Sequence, residues 1–578
     1  MKETLNLLYQ GESLSQEAAY KLMTSIGEGQ YSHEELASLL TVYNMRDIRP
    51  EELLGFRKAM IDMSLRVNLP KDAIDIVGTG GDGKDTFNIS TLSCFVVAGA
   101  GFKIVKHGNY SASSVSGSSH MMEHFGYSFS NKEAKLQADL ERSGICFLHA
   151  PLFHPAMKHI VPVRKALKVR TIFNIMGPLI NPAQPNYALY GTYNQETAQL
   201  YHETLKNESL AYGIVNSLDG YDEVSLTGQA LLIRKQEEEV LSPADFGFST
   251  LDAAQIKGGG NVEENAKIFL SVLKGEATDA QTEVVLANAA LALLCLQPEK
   301  SLEDCVQQAK ESLKSKNALV VFNLAEKRKE VAQHKETQSI DDFTKSPYFD
   351  REVYSAKTQL LHPHSSGIIA EFKRKSPSKG WIFEEAIAEE VGPAYQNAGA
   401  ACISVLTDEA FFGGTLEDLI HIRRQVEIPI LRKEFIIDEY QLYEAKAMGA
   451  DFILLIAEVL STDEIKSLSK KAKELGLEVL MELHGEDQLP KICDSLDMVG
   501  INNRNLETFE VDLDRSIKML EYIPNDFAKI AESGISGADE VLKLKQAGFD
   551  GFLIGENFMK THQPGVALKS FMEEIFGK

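Results

Sequence analysis

Apolar positions in the first part of the chain recur at helical spacing in SQEAAYKLMTSI, SHEELASLLTVYNM and PEELLGFRKAMIDMSL. Each stretch opens on Ser or Pro, residues suited to a helix cap or first turn, which predicts a helical lobe over about residues 1–70. From Ile74 the pattern changes to short apolar runs ending in turn-forming segments: IDIVGTGGDG, FKIVKHGNY, RTIFNIMGPL and LAYGIVNSLDG. Runs of this kind between helical segments predict an α/β lobe on parallel strands.

The second half is more regular. Apolar runs return at GIIAEF (367–372), ACISVL (401–406), PILRKEF (429–435), FILLIA (452–457), EVLMEL (478–483), MVGIN (498–502), AKIAES (528–533) and GFLIG (551–555). Eight βα units in about 250 residues predict a (β/α)8 TIM barrel. Glu371, Lys433, Glu482, Asn502 and Glu532 fall at or near the carboxyl ends of these runs, where that fold places its active site. At the strand period of two, Lys373 shares a face with Glu371. Charges converging in a barrel mouth are costly unless they have a role, so these residues form a candidate acid–base set.

Between the halves, SLKSKNALVVFNLAEKRKEVAQHK (312–335) contains neither Pro nor Gly and keeps helical periodicity. The join therefore predicts helix running into helix rather than a flexible tether, with a boundary near Asn323 and domains of 1–323 and 324–578.

Composition narrows the function classes. The 578 residues carry 59 Lys+Arg against 83 Asp+Glu, a net charge of −24, which opposes general affinity for nucleic acid or anionic membranes. The six cysteines are scattered, without a C-x-x-C pair or zinc spacing, as expected of a cytoplasmic protein. The N-terminus lacks the basic and apolar regions of a signal peptide, and Val284–Leu296, the longest apolar run, is too short to span a bilayer. No membrane association is expected.

The segment Gly78-Thr79-Gly80-Gly81-Asp82-Gly83 matches G-x-G-x-x-G after a strand. A dinucleotide site would need an acidic residue about 20 positions on, yet no Asp or Glu occurs between Asp85 and Glu123. The window reads instead as a phosphate-binding surface of backbone N–H groups, hydroxyls and Lys106, or else as a glycine-rich turn beside buried strands. Asp222 and Glu223, in DGYDE, are a solvated turn or, beside a polyphosphate, ligands for Mg²⁺.

GTGGDG, TFNIST, KHGN, FHPAMK, VRKALKVRTIFNIMGPLINP and DGYDE, in this order, resemble the anthranilate phosphoribosyltransferase family across essentially the whole first half. The resemblance implies transfer of phosphoribose from phosphoribosyl pyrophosphate to anthranilate, with Mg²⁺ as cofactor of this half only. It implies that Gly78, Thr79, Gly80, Gly81, Asp82, Thr86, Asn88, Ser90 and Thr91 hold the phosphates and ribose. Ser90, Asp222 and Glu223 would bind the metal, and Lys106, His107, Asn109 and Arg164 would guide and seat anthranilate. Where the family commonly carries Arg after KHGN, and Lys and Asp in the loop beyond, this chain has Tyr110, Val115 and His120. The phosphate load would then shift to Lys103, Lys106 or neighbouring Ser hydroxyls.

In the second half, LAEKRKEVAQHK, IIAEFKRKSPSKG, SVLTDEAFFGG, LRKEFIIDEYQ, LMELH, GINNRNL, AESGIS and LIGE resemble indole-3-glycerol phosphate synthase. That implies indole-ring closure of 1-(2-carboxyphenylamino)-1-deoxyribulose 5-phosphate with loss of CO₂ and water. Lys433 would be the general acid, Glu482 the general base and Lys373 the carboxylate-binding residue, with Glu371, Asn502 and Glu532 ordering them. Ser376, Arg504, Ser533, Gly534 and Gly555 would bind substrate, largely its phosphate. Phe411 and Phe412 would pack on the aromatic ring or in the core, and Trp381 would report loop closure. The first product needs a separate isomerase before it fits the second site, so either simple co-expression of the two activities or docking of that isomerase is expected, together with a homodimer through the helical lobe. The alternatives are another acceptor, such as a nucleoside in the phosphorylase-like first half, or a silent scaffold module.

Overall fold

The computed structural model describes residues 1–110, 117–376, 380–503 and 512–577. Val115, Arg504 and the side chain of Phe411 lie outside the described set. Two compact units, Met1–Glu326 and Lys327–Lys578, divide within a single helix, Asn317–Thr337.

The first unit begins with helices Lys2–Tyr9, Gln16–Gly27, His33–Met45 and Pro50–Asp62. The sequence signals act as read: Ser15 accepts the Ala18 N–H, Ser32 and Glu35 form a reciprocal cap, and Pro50 occupies a first turn. Glu52, fully buried, binds these helices together by accepting from the Leu14 N–H at 2.9 Å, from the Tyr43 hydroxyl at 3.0 Å and from Arg46.

Seven strands follow: β1 (Ile74–Gly78), β2 (Ile104–Gly108), β3 (Ile145–His149), β4 (Tyr187–Gly191), β5 (Ala211–Ser217), β6 (Ala230–Arg234) and β7 (Glu237–Leu241). They form one sheet in the order β3-β2-β1-β4-β5-β6-β7. The first five are parallel, whereas β6 and β7 are antiparallel additions, so the all-parallel expectation holds only in part. RTIFNIMGPL is not a strand. Asn174 Oδ1 accepts the Thr171 N–H at 3.0 Å at the start of helix Ile172–Met176, and Pro178 lies in the 3-10 turn Gly177–Ile180, so local turn chemistry overrides the apolar alternation. The run Val284–Leu296 belongs to helix Asp279–Leu296, long and apolar enough to cross a membrane, but 72% of that window is buried inside the protein, as a core helix requires.

In the second unit eight parallel strands close into a barrel: Ile368–Phe372, Cys402–Leu406, Ile430–Lys433, Phe452–Ile456, Glu478–Leu483, Met498–Asn502, Ala528–Glu532 and Gly551–Ile554. Period-two geometry sorts the interior into layers. Ile369, Leu431, Leu480, Met498, Ile530 and Leu553 pack into one apolar cluster, joined by Ala356 and Leu360 of helix Ala356–Leu361. Two residues further along the first, third, fifth and seventh strands stand Glu371, Lys433, Glu482 and Glu532. The apolar layers plug the barrel and leave the charged layer at its carboxyl rim.

A buried ion cluster fixes the strand starts. Asp451 is fully buried; Oδ1 accepts from Arg351 at 2.7 Å and the Tyr354 N–H at 2.8 Å, while Oδ2 accepts from Arg423 at 2.7 Å and the Ile430 N–H at 2.8 Å. Asp451→Ala leaves buried Arg423 without its carboxylate and is expected to destabilise the second unit by about 3–5 kcal/mol. Urea unfolding followed by the fluorescence of Trp381, the only tryptophan, measures that loss for this unit alone.

Candidate active sites

Strand order reverses between β1 and β4, the position beyond which open α/β sheets bind ligands. Both strands end in glycine, Gly78 opposite Gly191, because the turn carrying Asp222 lies on them. A Cβ on Gly78 would come within 2.3 Å of Asp222 Oδ2, and one on Gly191 within 1.8 Å of the Asp222 carbonyl oxygen. The Gly80 N–H donates to Asp222 Oδ2 at 2.6 Å, and Gly80 and Gly81 hold left-handed φ of 65° and 73°.

The loop leads into helix Ile89–Gly99, where Asn88 Oδ1 accepts the Thr91 N–H at 3.1 Å. A glycine loop entering a helix N-terminus presents N–H groups to an anion. Thr79 Oγ1, Thr91 Oγ1 and Asp82 Oδ2 are buried without a hydrogen-bond partner among the described residues, open to a ligand's polar atoms. Ser90 is half-buried on the same helix turn.

Glu223 accepts from the Thr86 hydroxyl at 2.9 Å. Burial, then the charges of Asp222 and Asp82, raises its carboxyl well above the ordinary range; burial and Asp82 push Asp222 up to about 6. Carboxylates crowded in this way fit a hard divalent cation. Among the described residues no set of three or more His, Cys, Asp or Glu is placed to hold a metal, so these two would be completed by ligand oxygens.

The KHGN residues divide. Lys106 is buried and donates to the Ile76 carbonyl at 2.6 Å, so it acts as a charge beneath the site, felt by Glu223, and not as an extended arm. The His107 ring is buried with Nε2 3.3 Å from His154 Nε2; the backbone N–H of His107 donates to Asp75 Oδ1, and desolvation holds the imidazole neutral. Asn109 is exposed and accepts the Tyr110 N–H at 2.8 Å. Arg164 lies over Phe173, with Nη2 3.4 Å from Asn174 Oδ1. Tyr110 donates its hydroxyl to Glu123 and packs against His120 and His149. Lys103 pairs with Asp72 at 3.6 Å.

At the barrel rim the six acid–base candidates form one network. Lys433 Nζ lies 3.0 Å from Glu532 Oε2, 3.9 Å from Glu482 Oε2 and 4.0 Å from Glu371 Oε1. Lys373 Nζ sits 2.6 Å from Glu371 Oε2, and Asn502 donates to Glu482 Oε1 at 2.7 Å. Glycine makes room for two of the carboxylates: a Cβ on Gly500 would come within 2.3 Å of Glu532, and one on Gly555 equally close to Glu371.

The three glutamates are not equivalent. Burial pushes Glu532 up to about 7 despite Lys433, its only partner among the described residues, and leaves Oε1 unbonded. Burial acts on Glu482 too, but Lys433 and His484, with Asn502, hold it down to about 2. His484 Nε2 lies 3.0 Å from Glu482 Oε1. It was not singled out from the sequence, although its place two residues after Glu482, inside LMELH, carries the signal.

Around the rim, the buried Ser376 hydroxyl has no partner among the described residues. Ser533 and Gly534 adopt successive left-handed φ of 67° and 69° after the seventh strand. Gly555 caps helix Glu556–Met559. The positive KRKSPSK segment is partly neutralised, since Arg374 makes a bidentate pair with Asp418 at 2.6 and 2.7 Å and Lys373 pairs with Glu371. Trp381 is half exposed beneath Lys375, and Phe412 is half-buried.

Comparison with known proteins matches residues 2–64 to "Glycosyl transferase family, helical bundle domain", 70–319 to "Glycosyl transferase family, a/b domain" and 323–571 to "Indole-3-glycerol phosphate synthase". Anthranilate phosphoribosyltransferase of Cytophaga hutchinsonii is 51% identical over 331 residues, 57% of this chain and 100% of that protein. The Bacteroides fragilis enzyme of the same name is 47% identical over 319 residues, 55% and 96% respectively. Among solved structures, anthranilate phosphoribosyltransferase from Thermus thermophilus matches with a TM-score of 0.54 and 32% identity, covering 56% of this chain and 99% of that one. The Saccharomyces cerevisiae enzyme in complex with PRPP and Mg matches with a TM-score of 0.53 and 27% identity, covering 56% and 96%.

The high Glu532 value has a testable sign. Between the ordinary carboxylate value of 4.5 and about 7, the folded protein holds a proton on Glu532 that the unfolded chain releases, so this group's stability contribution is lost as pH rises. Glu532→Gln should flatten the pH dependence of second-unit stability in that window by up to about one proton's worth of slope. Denaturation monitored at Trp381 across pH 4.5–7 reads it directly.

Proposed function

The chain belongs to the anthranilate phosphoribosyltransferase family and carries an indole-3-glycerol phosphate synthase domain, and from that premise we propose two reactions of tryptophan biosynthesis at two separate sites. The alternatives of another acceptor or a silent scaffold are not favoured by relatives that match at 51% and 47% identity.

In the first reaction the C1–O bond to pyrophosphate breaks, the anthranilate nitrogen bonds to C1, and the nitrogen releases a proton. The need is for electrostatic clamping and alignment rather than a strong base, because an aromatic amine is already an uncharged nucleophile. Gly78–Asp82, Thr86, Asn88, Ser90 and Thr91 hold the phosphates and ribose, supported by the loop-to-helix geometry and the unbonded hydroxyls of Thr79 and Thr91. Asp222 and Glu223, with Ser90, hold Mg²⁺, which when bound neutralises charge on the departing pyrophosphate. His107, Asn109 and Arg164 seat anthranilate above the buried charge of Lys106.

In the second reaction Lys433 protonates the ribulose carbonyl and hydroxyl oxygens, Glu482 removes a proton, and Lys373 binds the carboxylate that leaves as CO₂. The observation carrying this reading is Lys433 within 4.0 Å of three carboxylates at the rim. Glu371, Asn502 and Glu532 orient these groups, Glu532 through its contact with the Lys433 ammonium at 3.0 Å. Ser376, Ser533, Gly534 and Gly555 receive the phosphate, joined by Arg504.

An isomerisation separates the two reactions, so a separate isomerase must act between them, and co-purification tests whether it docks. A homodimer through the helical lobe, supported by exposed Leu7, Tyr9 and Met45, is read by sedimentation.

Lys433→Ala should lower ring closure by at least about 10²-fold and leave phosphoribosyl transfer unchanged; Asp222→Asn with Glu223→Gln should do the reverse. Parallel assays on the intact chain decide, and loss of both activities from either change would overturn the two-site reading. Chelation with EDTA should abolish transfer alone, with restoration by Mg²⁺.

A further inference from the structure

The helix Asn317–Thr337, within which the units divide, carries a side chain that neither proposed mechanism uses. Lys327 is only 3% exposed, yet it is charged: its ammonium lies 2.6 Å from Asp408 Oδ2, 3.2 Å from Glu434 Oε1 and 2.7 Å from Glu330 Oε2. Asp408 and Glu434 are themselves buried.

Both partners belong to the framework of Lys433. Glu434 is the next residue along the chain; its Oε2 accepts from the Thr407 hydroxyl at 3.1 Å and its Oε1 from the Phe435 N–H at 2.8 Å. The Thr407 N–H donates to the Lys433 carbonyl at 3.3 Å, and Asp408 follows directly. On the other side of Lys433, Arg432 donates to Glu444 at 2.6 Å and to Thr407 Oγ1 at 3.2 Å. Glu444 in turn faces His334 Nδ1 at 3.3 Å. Lys327, Val331 and His334 stand at i, i+4 and i+7 on one helical face, and Val331 packs with Phe343, Tyr440 and Ala447. One helix thus grips the residues immediately before and after Lys433.

We propose that Lys327 is a positioning residue for ring closure: its buried pairing with Asp408 and Glu434 sets the end of the third barrel strand so that the Lys433 ammonium meets its three carboxylates and the substrate. Burying a lysine between two carboxylates is an inefficient way to gain stability alone, because desolvation offsets most of the attraction. It is an effective way to fix a strand end, where a displacement of about 1 Å at a reacting group can cost about 10²-fold in rate. The inference rests on the ring-closing role assigned to Lys433.

The test uses the full chain, with ring closure and phosphoribosyl transfer measured side by side. Lys327→Met should lower kcat for ring closure by about tenfold or more, keep KM within about twofold and leave transfer unchanged. Lys327→Arg, which retains the charge, should recover at least about a third of wild-type kcat. A folded Lys327→Met with wild-type kcat, a loss confined to KM, or no rescue by arginine would overturn the proposal. If Lys327→Met does not fold, Glu434→Gln decides: it removes the charge facing Lys327, keeps an amide oxygen to accept the Phe435 N–H and turns an amide N–H toward the Thr407 hydroxyl, and it should lower kcat about fivefold at unchanged KM, wild-type kcat again overturning the proposal. Wild-type turnover together with an inactive Lys433→Ala separates the two levels. If Lys433→Ala still closes the ring, the underlying reading fails and takes this inference with it.

Discussion

A carboxylate removed from water costs several kcal/mol unless a cation and hydrogen bonds meet it, and buried carboxylates organise both halves of this chain. In the barrel the cations are built in: Lys433 serves Glu371, Glu482 and Glu532, Lys327 serves Asp408 and Glu434, and Arg351 and Arg423 serve Asp451. In the first unit Asp222 and Glu223 have donors from Gly80 and Thr86, but no ammonium or guanidinium pairs with either among the described ion pairs. Burial raises both of their carboxyls, as it raises Glu532 despite Lys433, whereas Glu482, met by Lys433, His484 and Asn502, falls. One site is electrostatically complete as folded; the other is finished by what binds.

The barrel and its rim were legible because period-two alternation and the position of a charge at a strand end are local properties. Glu371, Lys433, Glu482, Asn502 and Glu532 came together at the predicted end because one register carries them all inward. The first unit was harder to read. IFNI alternates like a strand, but its fate is decided by the Thr171–Asn174 hydrogen bond, and YALYG and ICFLH are buried parallel strands with little alternation to mark them. Lys106 looked like a free cation in an acid-free window, and only the packing of β1 against β2 turns it inward. His484 and Lys327 escaped notice because their significance depends on partners that meet them only in the fold.

The net charge of −24 coexists with two proposed anionic ligands. The sequence suggested local positive patches as the answer, yet Lys373, Arg374 and Lys106 are each engaged by a neighbouring acceptor. On the proposed reading, phosphate recognition leans on short-range groups: the glycine loop, the N-terminus of Ile89–Gly99, the buried Ser376 hydroxyl and the backbone at Ser533 and Gly534. Such donors select by shape at contact distance and exert little pull across a Debye length.

The helix Asn317–Thr337 leaves no residues over for mere connection. Ala318, Leu319 and Phe322 are committed to the core of the first unit, and Lys327, Val331 and His334 to the second. Residues of one helix thus contribute to the cores of two units, each set held within its own. A substitution on either side of the junction is therefore felt as a core substitution in one unit or the other, a cost that a solvated tether would not carry.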